Sequence, residues 1–444
     1  MKLALKIVFS LIFILLVIVL SLVTTIDMTP YQQLPYYQEW EEKISGFEFQ
    51  SEREDSIKVG WAKTNITPDK PMPMAGYGKR KGAPYTSVHD SIFVRTLVIG
   101  HETQKVALVA ADLLIIPPTV TELVEQNKPE NLDIYFGATH SHNSLGAWYN
   151  TLVGKLFAGQ YDPEVEEFLA KQILQSIELA EKEMGVLESI SYEKDLDEND
   201  IRNRLVKNGP IAPYIRSLRF KTDEKSALLS TYAAHSTVLN SATFELSRDY
   251  PGVLVDSLER TETDFALFMA GTVGSMGPIE KGVDDFDEVN NQAIGVLNQI
   301  KSENEREIQV ETKSLSFGKI QLPLRKPSPR INTNWAMRPW VFKWLFGEAP
   351  ADVKIFRVGQ LLMIGLPCDF SGELMAELDE YAAEKGLELI ITSFNGGYTG
   401  YITADEHFEK EAYETTTMNW FGPYNGAYFS EVVRDIIDKA AQAN

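Results

Sequence analysis

The sequence is poor in cysteine, in histidine and in positive charge. Cys368 is the single cysteine, so neither an intrachain disulfide nor a zinc site built from several thiolates can form. Asp and Glu number 63 against 42 Lys and Arg, which gives a formal net charge of −21. A surface this acidic repels phosphate backbones and argues against nucleic acid as a partner. Any metal site must draw on six histidines, which are His89, His101, His140, His142, His235 and His407.

The chain opens with a long hydrophobic run. Lys2 and Lys6 precede the uncharged residues 7–26, and about twenty helical residues span the roughly 30 Å core of a bilayer. Because basic flanks stay in the cytoplasm, the rest of the chain should lie outside it, in a periplasmic or extracellular compartment. Residues 1–26 are therefore predicted to be an uncleaved signal anchor. A cleaved signal peptide, which would release a secreted protein, is the alternative.

Residues 27–56 are predicted to be a spacer, because they mix aromatic residues, prolines and acidic residues. Tyr37, Trp40 and Ile44 have the spacing of one apolar face of a short helix. This face could pack on the main domain or lie near the membrane surface, and the sequence leaves both interpretations open.

From Val59 onward, apolar runs rich in β-branched residues alternate with longer amphipathic segments, and no internal repeat is visible. Strands that alternate with helices indicate an α/β fold, here one large domain with mixed sheets and flanking helices. The predicted strands are residues 92–99, 105–111, 132–138, 226–233, 264–270, 359–366 and 387–394. The predicted helices are residues 163–185, 284–301, 372–386 and 427–442, and Gly185 is expected to cap the first of them.

Five of the predicted strands are each followed directly by a polar cluster. In open α/β sheets ligands bind beyond the carboxyl ends of strands, so these clusters should meet at one end of the fold. Two imidazoles, a carboxylate and a phenolic oxygen would suit zinc, which lowers the pKa of a bound water to about 7. A nearby histidine could then carry the proton. The clusters are residues 139–144, 235–237, 271–278, 367–373 and 395–401.

Each of these residues also has a purely structural interpretation. His235 could be a buried core histidine, and Asp369 could cap a helix that starts near Ser371. Tyr398 and Tyr401 could be packing aromatics with satisfied hydroxyls. The sequence has no HExxH zinc helix, no GxxxxGK[ST] phosphate loop and no G-x-S-x-G nucleophile elbow.

Short motifs occur in a recognisable order along residues 57–443. They are ITP (66–68) with MAGY (74–77), THSH (139–142), AHST (234–237) with SRDYPG (247–252), YTGYIT (398–403), and YE (413–414) with FGP (421–423). Each motif is short, but the ordered set is specific. It resembles the neutral/alkaline, non-lysosomal ceramidase family, and the C-terminal sandwich-like domain of longer members is expected to be missing.

The resemblance implies a zinc-dependent hydrolase of an amide bond, in ceramide or another N-acyl lipid, with residues 57–444 as the catalytic domain and metal-activated water as the attacking group. His142 would assist at that water, Arg204 would hold a polar group of the substrate, and Tyr413 would stabilise the developing oxyanion. The positions that match the family's zinc ligands are His140, His235, Asp369 and Tyr401.

Two departures from the family pattern bear on activity. The family's Pro-Gly-Glu is Pro-Cys-Asp here, so the side chain of Asp369 is one methylene shorter, and either its loop lies further inward or Glu373 substitutes for it. The family's active-site serine aligns with Gly277, and Ser275 lies two residues away. Two alternatives therefore stay open, a zinc hydrolase for a different amide or ester and a non-catalytic lipid- or ligand-binding protein that keeps the fold.

Residues 332–347 are unusually rich in aromatic side chains, among them Trp335, Trp340 and Trp344. One interpretation is a buried helix or loop. The other is a lipid-facing lip beside the active site, which would suit an anchored enzyme that acts on acyl lipids.

Overall fold

The structure is a computed structural model that describes residues 2–49, 56–301, 307–312 and 314–443. The first helix is long and apolar enough to cross a membrane, and residues Leu3–Leu22 are not buried by the rest of the protein. The helices of the described residues are α1 (Lys2–Leu22), α2 (Pro35–Ser45), α3 (Pro118–Asn127), α4 (Gly154–Phe157), α5 (Pro163–Lys182), α6 (Asp249–Thr261), α7 (Asp285–Ile300), α8 (Pro339–Phe346), α9 (Met375–Glu384) and α10 (Asn425–Gln442).

The strands are short, and most of them are antiparallel to their neighbours. In chain order they are β1 (Val23–Thr25), β2 (Lys58–Asn65), β3 (Met74–Gly76), β4 (Ser87–Val88), β5 (Phe93–Gly100), β6 (Lys105–Ala111), β7 (Leu132–Ala138), β8 (Asn143–Leu145), β9 (Gly185–Val186), β10 (Ser189–Leu196), β11 (Ile201–Asn203), β12 (Tyr214–Lys221), β13 (Ser226–Tyr232), β14 (Glu245–Leu246), β15 (Phe265–Ala270), β16 (Met276–Pro278), β17 (Ile308–Val310), β18 (Leu315–Gln321), β19 (Trp335–Met337), β20 (Asp352–Val358), β21 (Leu361–Gly365), β22 (Asp369–Phe370), β23 (Glu388–Thr392) and β24 (Tyr401–Ile402).

Three larger sheets share one topology. In each, three antiparallel strands lead through a helix to a fourth strand that lies parallel to the third. The first unit is β2–β5–β6–α3–β7, the second is β10–β12–β13–α6–β15, and the third is β18–β20–β21–α9–β23. The chain therefore folds as three copies of one supersecondary unit, although its sequence shows no repeat.

The inner faces of the three sheets share one apolar core, and helices cover the outer faces. The outer face of the first sheet packs beneath α3 and α5, and those of the other two pack beneath α6, α7, α9 and α10. Side chains from all three sheets meet in the shared core, which includes Leu97, Leu108, Leu218, Leu229, Phe356 and Met363.

The parallel strands that end the three units meet at the centre. Tyr135 Oη of β7 lies 2.6 Å from Thr392 Oγ1 of β23. Directly after β23, the Ser393 N–H donates to the Ala270 carbonyl of β15 at 2.9 Å. The segments that follow β7, β15 and β23 therefore start from neighbouring points, as the clustering of polar residues after strands predicts.

All seven predicted strands and all four predicted helices are present, with bounds that differ by a few residues. The helix predicted over residues 163–185 ends at Lys182, and Gly185 belongs to β9 rather than to a cap. The apolar face of residues 37–44 packs on the domain, since Trp40 Nε1 donates to Asp435 Oδ2 at 2.8 Å and Trp40 is fully buried.

Lys354 of β20 gives the domain a testable dependence on pH. Its Nζ is buried 4.2 Å from the ring centre of Phe136 and donates to the Asn395 carbonyl at 2.9 Å. Burial lowers the pKa of Lys354 to about 7. In the unfolded chain the lysine keeps its proton up to about pH 10.4. Between about pH 7 and pH 10 the unfolded state therefore binds more protons than the folded state. The free energy of unfolding rises with pH over this range.

We expect Lys354→Met to remove a rise of about 2 kcal/mol in the free energy of unfolding between about pH 7 and pH 9. Urea titrations of the detergent-solubilised chain at both pH values measure it. Lys58→Met, at an exposed position of β2, is the control and should keep the rise. An unchanged pH dependence in Lys354→Met would contradict the assignment.

Candidate metal centre

Three histidine side chains meet in one buried pocket beyond the carboxyl ends of β7 and β13. Nε2 of His140 lies 2.9 Å from Nε2 of His235, and Nε2 of His142 lies 3.3 Å from each of them. Tetrahedral ligands with zinc–nitrogen distances of about 2.0–2.1 Å place neighbouring nitrogens roughly 3.3 Å apart. The spacing of the three nitrogens therefore fits a tetrahedral metal centre.

Backbone carbonyls orient two of the imidazoles. Nδ1 of His140 lies 2.5 Å from the Leu114 carbonyl, and Nδ1 of His235 lies 3.3 Å from the Val273 carbonyl. A carbonyl oxygen can only accept a hydrogen bond, so the Nδ1 atom of each of these two histidines carries the proton. The lone pair of each Nε2 atom then faces the pocket. His142 differs, because its buried Nδ1 has no hydrogen-bond partner among the described residues.

The pocket holds all three imidazoles in the neutral form. Burial is the largest cause and lowers the pKa of His140 to about 3 and those of His142 and His235 well below their usual range. The Arg204 guanidinium lowers all three pKa values further. The Nε2 lone pairs of His140 and His235 face each other at 2.9 Å and repel, and a cation between them would remove that repulsion.

Asp369 completes the donor set. Its Oδ1 lies 3.6 Å from Nε2 of His140 and is buried with no hydrogen-bond partner among the described residues. Its Oδ2 accepts from the Tyr398 hydroxyl at 2.7 Å. A buried carboxylate oxygen that no donor satisfies is costly, so this oxygen and nitrogens of the histidine group fit a divalent cation. Burial raises the pKa of Asp369 to about 7.

The other interpretations of this loop do not fit the geometry. Ser371 rather than Asp369 caps the 3₁₀-helix Gly372–Leu374, since its hydroxyl accepts from the Glu373 N–H at 3.2 Å. The Glu373 carboxylate accepts from Asn203 Nδ2 at 2.5 Å and lies 3.1 Å from His407 Nε2. Glu373 is therefore held by other partners, which favours Asp369 as the predicted ligand.

Arg204, Tyr401 and Tyr413 border the histidines. Arg204 Nη2 donates to the Tyr401 hydroxyl at 2.9 Å, and its Nε lies 2.9 Å from Glu414 Oε1. The Tyr401 ring lies parallel to that of His235, with 6.4 Å between ring centres, and meets the ring of Tyr413 edge-on at 5.8 Å. The structure thus brings all seven predicted site residues into one connected cluster, and their individual roles stay predictions.

A cavity of about 600 Å³ opens beside Tyr413, whose side chain is 47% exposed. Its volume lies within the usual range of small-molecule sites. Tyr413 is the link between this cavity and Tyr401. The wall is formed mainly by two segments, which contribute Pro329, Ile331, Met337, Phe346, Ala412 and Thr416 among others.

Phe394 is a site residue that the sequence does not reveal. Its ring stacks on His140, with 3.9 Å between ring centres and 9° between planes. Both residues have left-handed backbones, with φ of 63° for Phe394 and 61° for His140. Such conformations cost about 1 kcal/mol or more in non-glycine residues, so the surrounding packing must hold this pair in place. The sequence marks Phe394 only as the end of a strand.

Comparison with known proteins identifies the fold. No protein-family model matches the sequence, and no curated protein matches it. A neutral ceramidase from Pseudomonas aeruginosa superposes with a TM-score of 0.76 over 87% of this chain and 75% of its own, at 18% sequence identity. This chain has the neutral ceramidase fold. A structure described as ceramidase complexed with C2 superposes with a TM-score of 0.74, covering 86% and 75%, at 16% identity.

A close contact explains why glycine occupies position 274, in the turn after β15. A Cβ on Gly274 would lie 2.4 Å from the Asp369 carbonyl oxygen, and the Gly274 N–H donates to the Phe370 carbonyl at 2.8 Å. This turn therefore supports the loop that carries Asp369. At Gly277 a Cβ would meet only Arg204, at 3.7 Å, which is an ordinary contact.

Gly274 and Gly277 are a matched pair for testing whether this turn holds the loop that carries Asp369. We expect Gly274→Ala to lower the free energy of unfolding by about 1–3 kcal/mol, because the backbone of the Asp369 loop must move. Gly277→Ala should change it by less than about 0.5 kcal/mol. Thermal unfolding and zinc content of both variants measure the effect. Equal behaviour of the two would show that the contact at Gly274 does not hold the loop.

Proposed function

We propose that this protein is a zinc-dependent hydrolase that cleaves the amide bond of an N-acyl lipid, with ceramide as the first candidate substrate. One observation carries the proposal: three imidazole nitrogens approach within 3.3 Å beside a buried carboxylate oxygen with no hydrogen-bond partner among the described residues. The similarity in fold to proteins that are named ceramidases supports the reaction class.

His140, His235, Asp369 and Tyr401 would hold the metal. A zinc ion bound there would supply a Lewis acid for the amide carbonyl and would lower the pKa of a water molecule to about 7. The donor set of two imidazoles, a carboxylate and a phenolic oxygen is within the ligands that zinc accepts.

The chain's own groups would complete the reaction. His142 is neutral, and its Nε2 lies 3.3 Å from those of His140 and His235, so it would accept a proton from a water in the pocket and return it to the leaving amine. Partial burial raises the pKa of the half-exposed Tyr413, so its phenol stays protonated and can donate to the developing oxyanion. Arg204 is fixed by Tyr401 and Glu414, and would hold a polar group of the substrate.

The apolar helix α1 suggests that this reaction takes place at a membrane surface. We infer that α1 is a retained anchor and that the domain lies outside the cytoplasm. Lys2 and Lys6 lie at the amino-terminal end of α1, and basic residues that flank a membrane helix stay in the cytoplasm. A protein secreted after cleavage of this segment is the alternative.

Metal content and turnover test the assignment together. The purified full-length protein should contain stoichiometric zinc and hydrolyse at least one member of a panel of N-acyl amides, and a chelator should abolish the turnover. His235→Ala should lose both zinc and activity. His142→Ala should keep zinc and lose about 10²–10⁴-fold in kcat. His89→Ala, which removes an exposed imidazole outside the pocket, is the control.

Each outcome has a distinct meaning. Protein without zinc whose activity survives His235→Ala would refute the mechanism. Loss of zinc from His142→Ala would make His142 a ligand instead of a proton carrier. Stoichiometric zinc without turnover of any amide or ester would support a non-catalytic binding protein with this fold.

A zinc hydrolase for a different amide or ester is the second candidate, and Gly277 favours it. Gly277 has no hydroxyl, and the hydroxyl of Ser275 is hydrogen-bonded to Ser371, so it does not replace the serine that the family pattern has at position 277. The position has room for a side chain, as the 3.7 Å contact with Arg204 indicates.

If ceramide is a poor substrate because this hydroxyl is missing, Gly277→Ser should raise kcat/KM for ceramide by about tenfold, the equivalent of one hydrogen bond. Gly277→Ala controls for the added volume and should not raise it. Rates for short N-acyl amides and for ceramide measure the change. Equal effects of serine and alanine would exclude the hydroxyl as the determinant of substrate preference.

A further inference from the structure

The carboxyl end of α1 is part of the folded domain. Directly after the helix, β1 pairs antiparallel with β19, from Val23 opposite Met337 to Thr25 opposite Trp335. The Arg338 N–H donates to the Leu22 carbonyl at 3.0 Å. Main-chain hydrogen bonds of this kind fix the position of the helix end far better than a flexible linker does.

Side chains from the start of α8 extend this contact. Arg338 Nη2 donates to the Leu20 carbonyl at 3.2 Å, and Trp340 Nε1 donates to the Ser21 carbonyl at 3.2 Å. The last four carbonyls of a helix have no partner within the helix, and a basic group near them is stabilising. Cleavage of α1 as a signal peptide would leave Arg338 and Trp340 without these acceptors.

The segment formed by β19 and α8 exposes three tryptophans and buries other aromatic rings. We call Trp335, Trp340 and Trp344 the aromatic platform, and they are 38%, 54% and 63% exposed. On the opposite face, Phe342 and Phe346 pack on Trp420 with ring centres 5.1 Å and 5.5 Å apart. The buried interpretation of this segment fits Phe342 and Phe346, and the lipid-facing interpretation of the exposed tryptophans stays a prediction. Tryptophan is enriched where proteins cross the membrane–water interface.

The charge around the platform differs from that of the whole chain. Residues 312–347 contain no Asp or Glu, whereas 63 acidic residues in 444 would give about five in a stretch of 36. The same stretch contains seven Lys and Arg residues. In the fold Lys319, Arg325 and Lys343 pair with acidic side chains, so the segment is close to neutral rather than acidic and can meet anionic headgroups with little repulsion.

The buried face of this segment reaches the candidate metal centre. Met337 and Phe346 line the cavity beside Tyr413, and Ile331 lies at the same wall and is 53% exposed. Trp420 meets the ring of Tyr398 at 5.1 Å, and Tyr398 donates to Asp369. One piece of chain therefore carries the platform on its outer face and the cavity wall on its inner face.

We propose that the aromatic platform lies in the headgroup layer of the membrane that α1 spans, and that the cavity beside Tyr413 takes its lipid directly from that bilayer. The route of entry rests on the proposed function, whereas the seating of the platform does not. A substrate with long acyl chains would then move from the bilayer to the cavity without passing through water.

Quenching of tryptophan fluorescence tests the seating of the platform without reference to activity. The full-length protein is placed in nanodiscs of phosphatidylcholine and phosphatidylglycerol, with and without lipids brominated near the headgroup. The four other tryptophans are buried or half-buried, so the quenchable emission should belong to the platform and disappear in W335F/W340F/W344F. W61F is the control and should leave it unchanged. Equal quenching in the triple variant and the parent would overturn the proposal.

Turnover of two substrates tests the route of entry. We expect W335S/W344S, which spares the hydrogen bond of Trp340 to Ser21, to lower turnover of a nanodisc-embedded N-acyl lipid by about tenfold. Turnover of a soluble short-chain N-acyl amide should stay within about twofold. L196S/V283S removes exposed apolar side chains elsewhere and should change neither rate.

The two parts of the idea can fail separately. An equal loss on both substrates, or no loss on either, would overturn direct entry from the bilayer. If the parent turns over neither substrate, the proposed function fails, and the quenching result still decides where the platform lies.

Discussion

The approach of three imidazole nitrogens in one buried pocket is the constraint on which the candidate site depends. The Nε2 lone pairs of His140 and His235 face each other at 2.9 Å, Nε2 of His142 lies 3.3 Å from both, and Asp369 Oδ1 is unpaired among the described residues beside them. A proton cannot relieve this at neutral pH, because burial lowers the pKa of all three histidines. The fold must therefore hold these groups together, and the energy for this comes from packing elsewhere in the protein.

The threefold arrangement of the sheets supplies that energy. The parallel strands β7, β15 and β23 meet in the shared core, so the segments that follow them are forced to one place. His140 follows β7, the Val273 carbonyl follows β15, and Phe394 follows β23. The strained backbones of His140 and Phe394 are held by this packing, since neither would adopt a positive φ in an isolated loop. The shared apolar core of the three sheets thus stabilises the strained loops that form the site.

Much of the site could be predicted from sequence, because polar clusters after buried strands reveal which strand ends carry chemistry. His140, His235 and Asp369 are visible in this way, and so are the strands before them. The repeated unit could not be predicted, since the three copies share an alternation of apolar residues but no motif. The partners of the Nδ1 atoms, Leu114 and Val273, were also hidden, because they contribute backbone carbonyls rather than side chains.

Net charge describes the whole chain and averages over surfaces with different roles. A charge of −21 argues against binding to any anionic surface, yet residues 312–347 carry no acidic residue. The Debye length is about 8 Å at physiological ionic strength, so the acidic residues of distant surfaces are screened at the platform. Only the groups near α1 and α8 determine how this face meets a membrane. Those groups include Arg338 and Trp340, which bind the end of the apolar helix, and the ion pairs of Arg325 with Asp27 and of Lys343 with Glu348.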